Sequence, residues 1–323
     1  MIFSRDELVS ACRLVHMQMS ATPLYDWPQL SALAGAHLWI KHENHAPIGA
    51  FKVRGGITFI DWLKRSHPDC RGIITATCGN HGQSQARAAI AARRKAVIYV
   101  PRGNSAEKNT AMQAYGADLR EFGEDFDEAR EEAMRVAAQE GLFLVPSFHL
   151  ELVRGVATYA MEMFMTRPEL DRVYVPIGCG SGICGVIAAR DALGLRTKVV
   201  GVVSEQAQTA LLSRQAGQMV ATKTARTFAD GLAVRVPVAE AFAIYAKGAE
   251  DIIAVSEDEI ADAVRHFYRS THNMAEGAGA AALAGALKQK NQIAGENIGV
   301  ILSGANIDAG WMKKILDGKT PEI

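Results

Sequence analysis

Lys52 stands in the segment GAFKVRGG (Gly49–Gly56), directly between Phe51 and Val53. A lysine in such small, apolar company can be partly desolvated, which lowers its pKa and frees its amine for Schiff-base chemistry. Taken alone, the position equally suits an ion pair with an acid at a helix start. A second segment, GCGSGICG (Gly178–Gly185), changes the balance. It follows the apolar run VYVPI and precedes the helix-like VIAARDAL. Bare backbone amides at a helix N-terminus receive a phosphate, whatever else is attached to it. The plainer alternative is a tight turn that needs positive φ. Lysine and phosphate loop together favour the Schiff-base reading.

Two further segments, TATCGNHGQS (Thr75–Ser84) and LSGANID (Leu302–Asp308), also combine small residues with one or two polar ones. In open parallel sheets, ligands sit beyond the carboxyl ends of the strands, where such turns lead into helices. A rival stays open at this point. Gly180, Gly182 and Gly185 satisfy GxGxxG, and Glu205 falls where a ribose-binding acid of a nicotinamide-dependent dehydrogenase would stand. His42 and His45 flank Glu43 in HENH, a weak zinc pattern without a third spaced ligand.

The elements that would position these residues alternate along the chain. Apolar, strand-like runs cover 37–41, 72–76, 96–101, 118–122, 142–146, 172–178, 198–204, 251–255 and 297–303. Helical spacing separates most of them, as in Phe126–Gln139 and Ile260–Ser270. Capping pairs are expected at Asn104 with Glu107 and at Ser256 with Glu259. Arg54 and the run Glu124–Glu132 read as solvated helix faces. The alternation predicts an α/β fold of mostly parallel sheets with helices on both faces.

The thirty-five basic and thirty-five acidic residues balance, so no overall field points to nucleic acid or an anionic membrane. Such a surface suits a small-molecule substrate or a second copy of the chain, with a homodimer as the expected assembly. No run approaches eighteen uncharged apolar residues, so no membrane span is expected. Asp6 and Glu7 interrupt the place where a signal peptide would be apolar. The five cysteines show no paired spacing, which fits free thiols and a cytoplasmic setting. Only about one short helix is expected after Ser303, so no appended regulatory module is expected either.

The segments HENHAPIGAFKVRGG, TATCGNHGQS, PIGCGSGICG, FADGLAV, MAEGAGAAAL and VILSGANID resemble, in order and spacing, the motifs of the threonine dehydratase and serine racemase family. That family belongs to the fold-type II enzymes that use pyridoxal 5'-phosphate (PLP), and the resemblance runs from about Thr22 to Asp308. It implies two open, twisted, mostly parallel sheets of the tryptophan synthase β-like kind. It also implies a large PLP-binding domain (1–46 plus 147–323) and a small inserted domain (47–146) that closes over the site. By the same resemblance Lys52 holds PLP covalently and moves the α-proton, Phe51 lies against the ring, and Asn80 bonds its phenolic oxygen. Gly178, Cys179, Gly180, Ser181 and Gly182 cradle the phosphate, and Ser303 faces the pyridine nitrogen. Thr77, Cys78, Gly79, Asn80 and His81 grip the substrate carboxylate. A neutral serine at the ring nitrogen suits expulsion of a β-hydroxyl, so the implied activity is an ammonia-lyase. It would convert a 3-hydroxy amino acid, L-threonine, L-serine or a relative, to a 2-oxo acid and ammonia in catabolism.

Some positions depart from the family pattern. Cys78 stands where racemases carry a proton-donating serine, so it is either a thiol shuttle, which makes an amino-acid racemase the alternative, or a small residue that merely fits. The family's divalent-metal ligands fall on Val203, Ala207 and Thr209, so no metal is expected, with Glu205 nearby but out of register. His149 and Arg154, in SFHLELVRGVAT, read either as substrate contacts or as a solvated helix start.

Overall fold

The computed structural model describes residues 1–322. Its ten strands are β1 (Leu24–Asp26), β2 (His37–His42), β3 (Gly72–Ala76), β4 (Lys95–Val100) and β5 (Asp118–Glu121), followed by β6 (Phe143–Leu144), β7 (Arg172–Pro176), β8 (Lys198–Ser204), β9 (Asp251–Val255) and β10 (Asn297–Leu302). They form two sheets, one in each of two compact units.

The first unit comprises residues 1–51 and 156 onward. Its six strands lie in the order β1-β2-β10-β7-β8-β9, all parallel except β1, which runs antiparallel to β2. The inner strands β8 and β10 are buried nearly end to end, as expected for a sheet covered on both faces. The Gly277–Lys288 helix, GAGAAALAGALK, is buried on every side through Ala286. Its small residues let it lie close to the sheet, and such all-round apolarity belongs to a helix at the centre of a core. From β7 the chain steps outward through β8 and β9, then returns to place β10 on the other side of β7. The strand order therefore reverses between β7 and β10, the position where open α/β sheets bind ligands.

The second unit, Lys52–Gly155, holds a parallel four-stranded sheet in the order β5-β4-β3-β6. Its reversal lies between β3 and β6. The Lys52–Ser66 and Asn80–Ala91 helices pack on one another here, joined by the Ser84 hydroxyl, which donates to the Lys52 carbonyl at 2.6 Å.

The sequence predicts changeovers between the domains at 46/47 and 146/147; the compact units change over at 51/52 and 155/156. Hydrogen bonds explain both offsets. Residues 48–51 are laced to the end of β10: Ala305 N–H donates to the Gly49 carbonyl, Asn306 Nδ2 to the Ile48 carbonyl and Phe51 N–H to the Ser303 carbonyl, at 2.8–3.0 Å. Residues 149–151 instead pack on the Lys52–Ser66 helix. Thr58 Oγ1 donates to the Glu151 carbonyl at 2.7 Å, and the His149 ring lies 4.8 Å from that of Trp62.

Candidate active site

In the first unit, the β7 strand ends in the turn Ile177–Gly180, from which the Ser181–Ala192 helix departs. Gly180 is the N-cap, with φ of 97°. That left-handed backbone is open to glycine at little cost, and the cap has no side chain to compete with an anion for the first helical amides. At Gly178 the need for glycine is steric, because a methyl group there would overlap the Gly231 carbonyl oxygen. Ser181 and Gly182 are buried, as is the helix through Ala189, so the helix end is fixed in a low-dielectric setting where its dipole attracts anions.

Phe51 and Ser303 join this turn. The Phe51 amide donates to the Ser303 carbonyl at 3.0 Å, and Ala50 pairs with Gly304 as an antiparallel bridge. The Phe51 ring stands edge-on to Tyr159, with centroids 6.1 Å apart, and the Tyr159 hydroxyl donates to the Gly182 carbonyl at 3.2 Å. One aromatic pair thus connects Phe51 to the glycine turn. The Ser303 hydroxyl makes only a long bond, 3.4 Å, to the Ala278 carbonyl. It can turn toward a ring nitrogen at little cost. A glycine-lined turn on a buried helix N-terminus, at the reversal of strand order, fits a cofactor that carries a phosphate.

Lys52 follows Phe51 directly and opens the second unit. There the Thr77–His81 turn leaves the carboxyl end of β3 and starts the Asn80–Ala91 helix. The Thr77 hydroxyl accepts the Gly79 amide at 3.1 Å, which shapes the turn. Cys78 is half-buried and in no disulfide. His81 Nε2 is buried without a hydrogen-bond partner, and its pKa is lowered to about 3 by burial first and by the charge of Lys52 second. His81 is therefore neutral at pH 7 but too weakly basic to hold an abstracted proton, which supports an orienting role over that of a general base. Lys52 and His81 are thus close enough within this unit for the lysine's charge to act on the imidazole.

The other residues singled out from the sequence have plainer roles. Glu205 lies on the surface beside Lys288, with 3.3 Å between its Oε1 and the ammonium, so the ribose-binding role has no support. Val203 and Ala207 are buried and apolar, and Thr209 Oγ1 donates to the Val234 carbonyl at 3.0 Å. Among the described residues no group of three His, Cys, Asp or Glu gathers to hold a metal. His42 accepts the Trp27 indole N–H at 2.9 Å, and burial lowers its pKa to about 4.

One expectation is corrected, and two residues with open readings gain defined contacts. Arg54 is fully buried rather than solvated, because the Lys52–Ser66 helix is covered all round from Val53 to Ile60. His149 stands at the start of the Leu150–Thr166 helix, where its Nδ1 accepts the Glu151 amide at 3.1 Å, and its half-buried ring packs against Phe59 and Trp62. Arg154 pairs with Glu151 at 2.8 Å. Sequence reasoning missed Tyr159 and gave Gly231, within FADGLAV, no role, because their contacts with the turn bridge long stretches of chain that no local pattern reports.

Comparison with known proteins agrees with this geometry. The profile of the family described as Pyridoxal-phosphate dependent enzyme matches residues 15–304. The L-threonine ammonia-lyase of Thermotoga maritima is 32% identical, over 97% of this chain and 78% of its own length. The structure of processed threonine deaminase isoform 2 from Solanum lycopersicum superposes with a TM-score of 0.89 at 30% identity, covering 98% of this chain and 89% of that one. Maize serine racemase superposes with a TM-score of 0.91 at 26% identity, over 98% of each chain. The bacterial biosynthetic L-threonine dehydratases that match are longer, and the chain spans 56–58% of their length.

Proposed function

The chain belongs to the family of pyridoxal-phosphate dependent enzymes, and from that membership we propose an ammonia-lyase that dehydrates a 3-hydroxy amino acid to a 2-oxo acid and ammonia. L-Threonine and L-serine are the leading substrates, with other 3-hydroxy amino acids close behind. The observation that carries the proposal is the bond from the Phe51 amide to the Ser303 carbonyl. It fixes the residue before Lys52 at the end of β10, next to β7 and its glycine turn.

Bound PLP supplies an electron sink that acidifies the α-proton of an amino acid. The protein's residues do the rest. The Lys52 amine would hold the cofactor and, once free, would accept the α-proton on Nζ. Amides of Gly178–Gly182 would hold the phosphate, with Phe51, Asn80 and Ser303 as the residues for the ring, its phenolic oxygen and its nitrogen. The Thr77–His81 turn holds the substrate carboxylate, with neutral His81 keeping the turn in place. Water lost across Cα–Cβ is balanced by water taken up as ammonia leaves, so the net products are the 2-oxo acid and ammonia. The same reading gives a cytoplasmic homodimer serving amino-acid catabolism, which suits cysteines that form no disulfide.

The purified enzyme is expected to be yellow, with borohydride fixing the cofactor on Lys52. Lys52→Ala should lose the colour and at least about 10³-fold of the turnover, a loss in the range of a removed proton-transferring group. Dehydration that survives this change would end the proposal. A panel of threonine, serine, 3-hydroxyaspartate and phenylserine sets the substrate. The likeness to maize serine racemase and the half-buried thiol of Cys78 support a second reading, racemisation. A D-isomer formed faster than the 2-oxo acid in the same assay would favour it.

A further inference from the structure

A carboxylate far from Lys52 in sequence ties down the wall of the glycine turn. Glu257 is the first residue of the Glu257–Thr271 helix and is partly buried. Its Oε1 accepts the Ser204 hydroxyl at 2.6 Å, at the carboxyl end of β8. Its Oε2 accepts the Thr227 hydroxyl at 3.1 Å and the Phe228 amide at 2.9 Å. Ser204 and Thr227 are both buried. Three donors therefore converge on one carboxylate, a strong kind of acceptor.

The clamped segment leads straight to the turn. The Thr227 hydroxyl accepts the Ala229 amide at 3.1 Å, and the Leu232 amide bonds the Ala229 carbonyl at 2.7 Å, closing the short 3-10 helix Asp230–Leu232. That helix presents the Gly231 carbonyl, which lies against the α-carbon of Gly178. At its far end the segment is fastened again, by Thr209 Oγ1 to the Val234 carbonyl. Residues 227–234 are thus a short strap with two fixed ends, and its middle backs the glycine turn. Packing this close transmits a displacement of the strap to the turn, because no side chain lies between Gly231 and Gly178 to absorb it.

We infer that Glu257 is a positioning residue for the cofactor phosphate: by holding residues 227–228 it sets the place of Gly231, and through it the geometry of the Gly178–Gly182 turn. The inference rests on the PLP reading above. It adds a determinant of cofactor affinity that lies outside the glycine turn itself.

The test uses the full chain, with PLP removed and then titrated back. Glu257→Ala should weaken PLP binding about tenfold or more, the size expected when hydrogen bonds to a charged group are lost. The stabilisation gained on adding PLP, read as the difference in Tm between loaded and empty protein, should shrink with it. The phosphorus resonance of the bound cofactor should move as well. Glu257→Gln keeps an oxygen for Thr227 and Phe228, so it should restore binding to within about threefold of the parent, the scale of a neutral bond. Thr227→Val removes the donor to Glu257 and, with it, the acceptor of the Ala229 amide, at little change of shape, so a loss of about threefold or more is expected on the same scale. Should Glu257→Ala fail to fold, Thr227→Val carries the test alone. Variants that lose Tm equally with and without PLP, at unchanged affinity and phosphorus shift, would reduce Glu257 to a structural tie and overturn the inference. A parent protein that takes up no PLP would instead refute the functional reading, and the two failures are distinct.

Discussion

Gly180 and Gly79 occupy equivalent places in the two units: each caps a helix that leaves the carboxyl end of a parallel strand. Their backbones differ. Gly180 sits at φ 97°, in the left-handed region, with Ala241 so close that an added Cβ would lie 2.7 Å from its methyl. Gly79 has φ of 176°, which is extended, and an added Cβ would meet the flexible stem of Lys108 at 3.0 Å. The first turn is pressed against main chain at Gly178 and a short methyl at Gly180, and the second uses side chains such as Thr77 to set its shape. A phosphate needs several amides aimed at one point, which a rigid backbone supplies. A substrate that must enter and leave is better served by a turn with give.

The comparison extends to a histidine held neutral in each unit, and acid gives the largest expected effect. His42 is fully buried, and its folded pKa of about 4 lies below the ordinary 6.5. Below pH 6.5 the unfolded chain therefore binds the proton first. Stability is complete above that pH and falls as the pH drops toward 4, by on the order of 3 kcal/mol for this residue. His81 adds a fall in the same direction, continuing to about pH 3. Urea unfolding followed against pH measures it. His42→Gln keeps an acceptor for Trp27 and should flatten the slope by about one proton between pH 6.5 and 4. An unchanged slope would mean that His42 is not held neutral by the fold.

Gly178→Ala should come next, because its methyl would meet the Gly231 carbonyl, a backbone atom that cannot swing away. Strain of this kind costs about 1–3 kcal/mol and should weaken PLP binding by about 10- to 100-fold in a titration. Gly79→Ala should be the mildest. Only the Lys108 stem must shift, so PLP affinity should stay within about threefold, while KM for the amino acid rises. If Gly79→Ala proved the more damaging to PLP binding, the contrast between a rigid and a yielding turn would be wrong.

Much of the framework is legible from periodicity. The runs read at 72–76, 198–204 and 251–255 coincide with β3, β8 and β9, because buried parallel strands are unbroken apolar stretches between turn residues. The Ser256–Glu259 capping box forms as read. At Asn104 the spacing misled: Ser105 is the cap, its hydroxyl accepting the Lys108 amide at 3.2 Å, since asparagine and serine are equally good caps. β1 escaped notice because three residues are too few to show alternation. Composition made Arg54 look solvated, yet only tertiary packing decides which face of a helix is covered. The motif residues were readable from type and spacing. Tyr159 and Glu257 were not, since their partners lie 23 to 53 residues away and no local pattern encodes such bonds.

The tether between Phe51 and Ser303 runs through an amide and a carbonyl. Such a joint is blind to side-chain identity. Residue 51 can vary in size or polarity through evolution without moving the start of the Lys52 helix, so long as it still has an N–H to give. Proline is the one residue that lacks it. The face that residue 51 offers a ligand can therefore be retuned independently of where the reactive amine begins, which leaves specificity free to drift while the attachment point stays put.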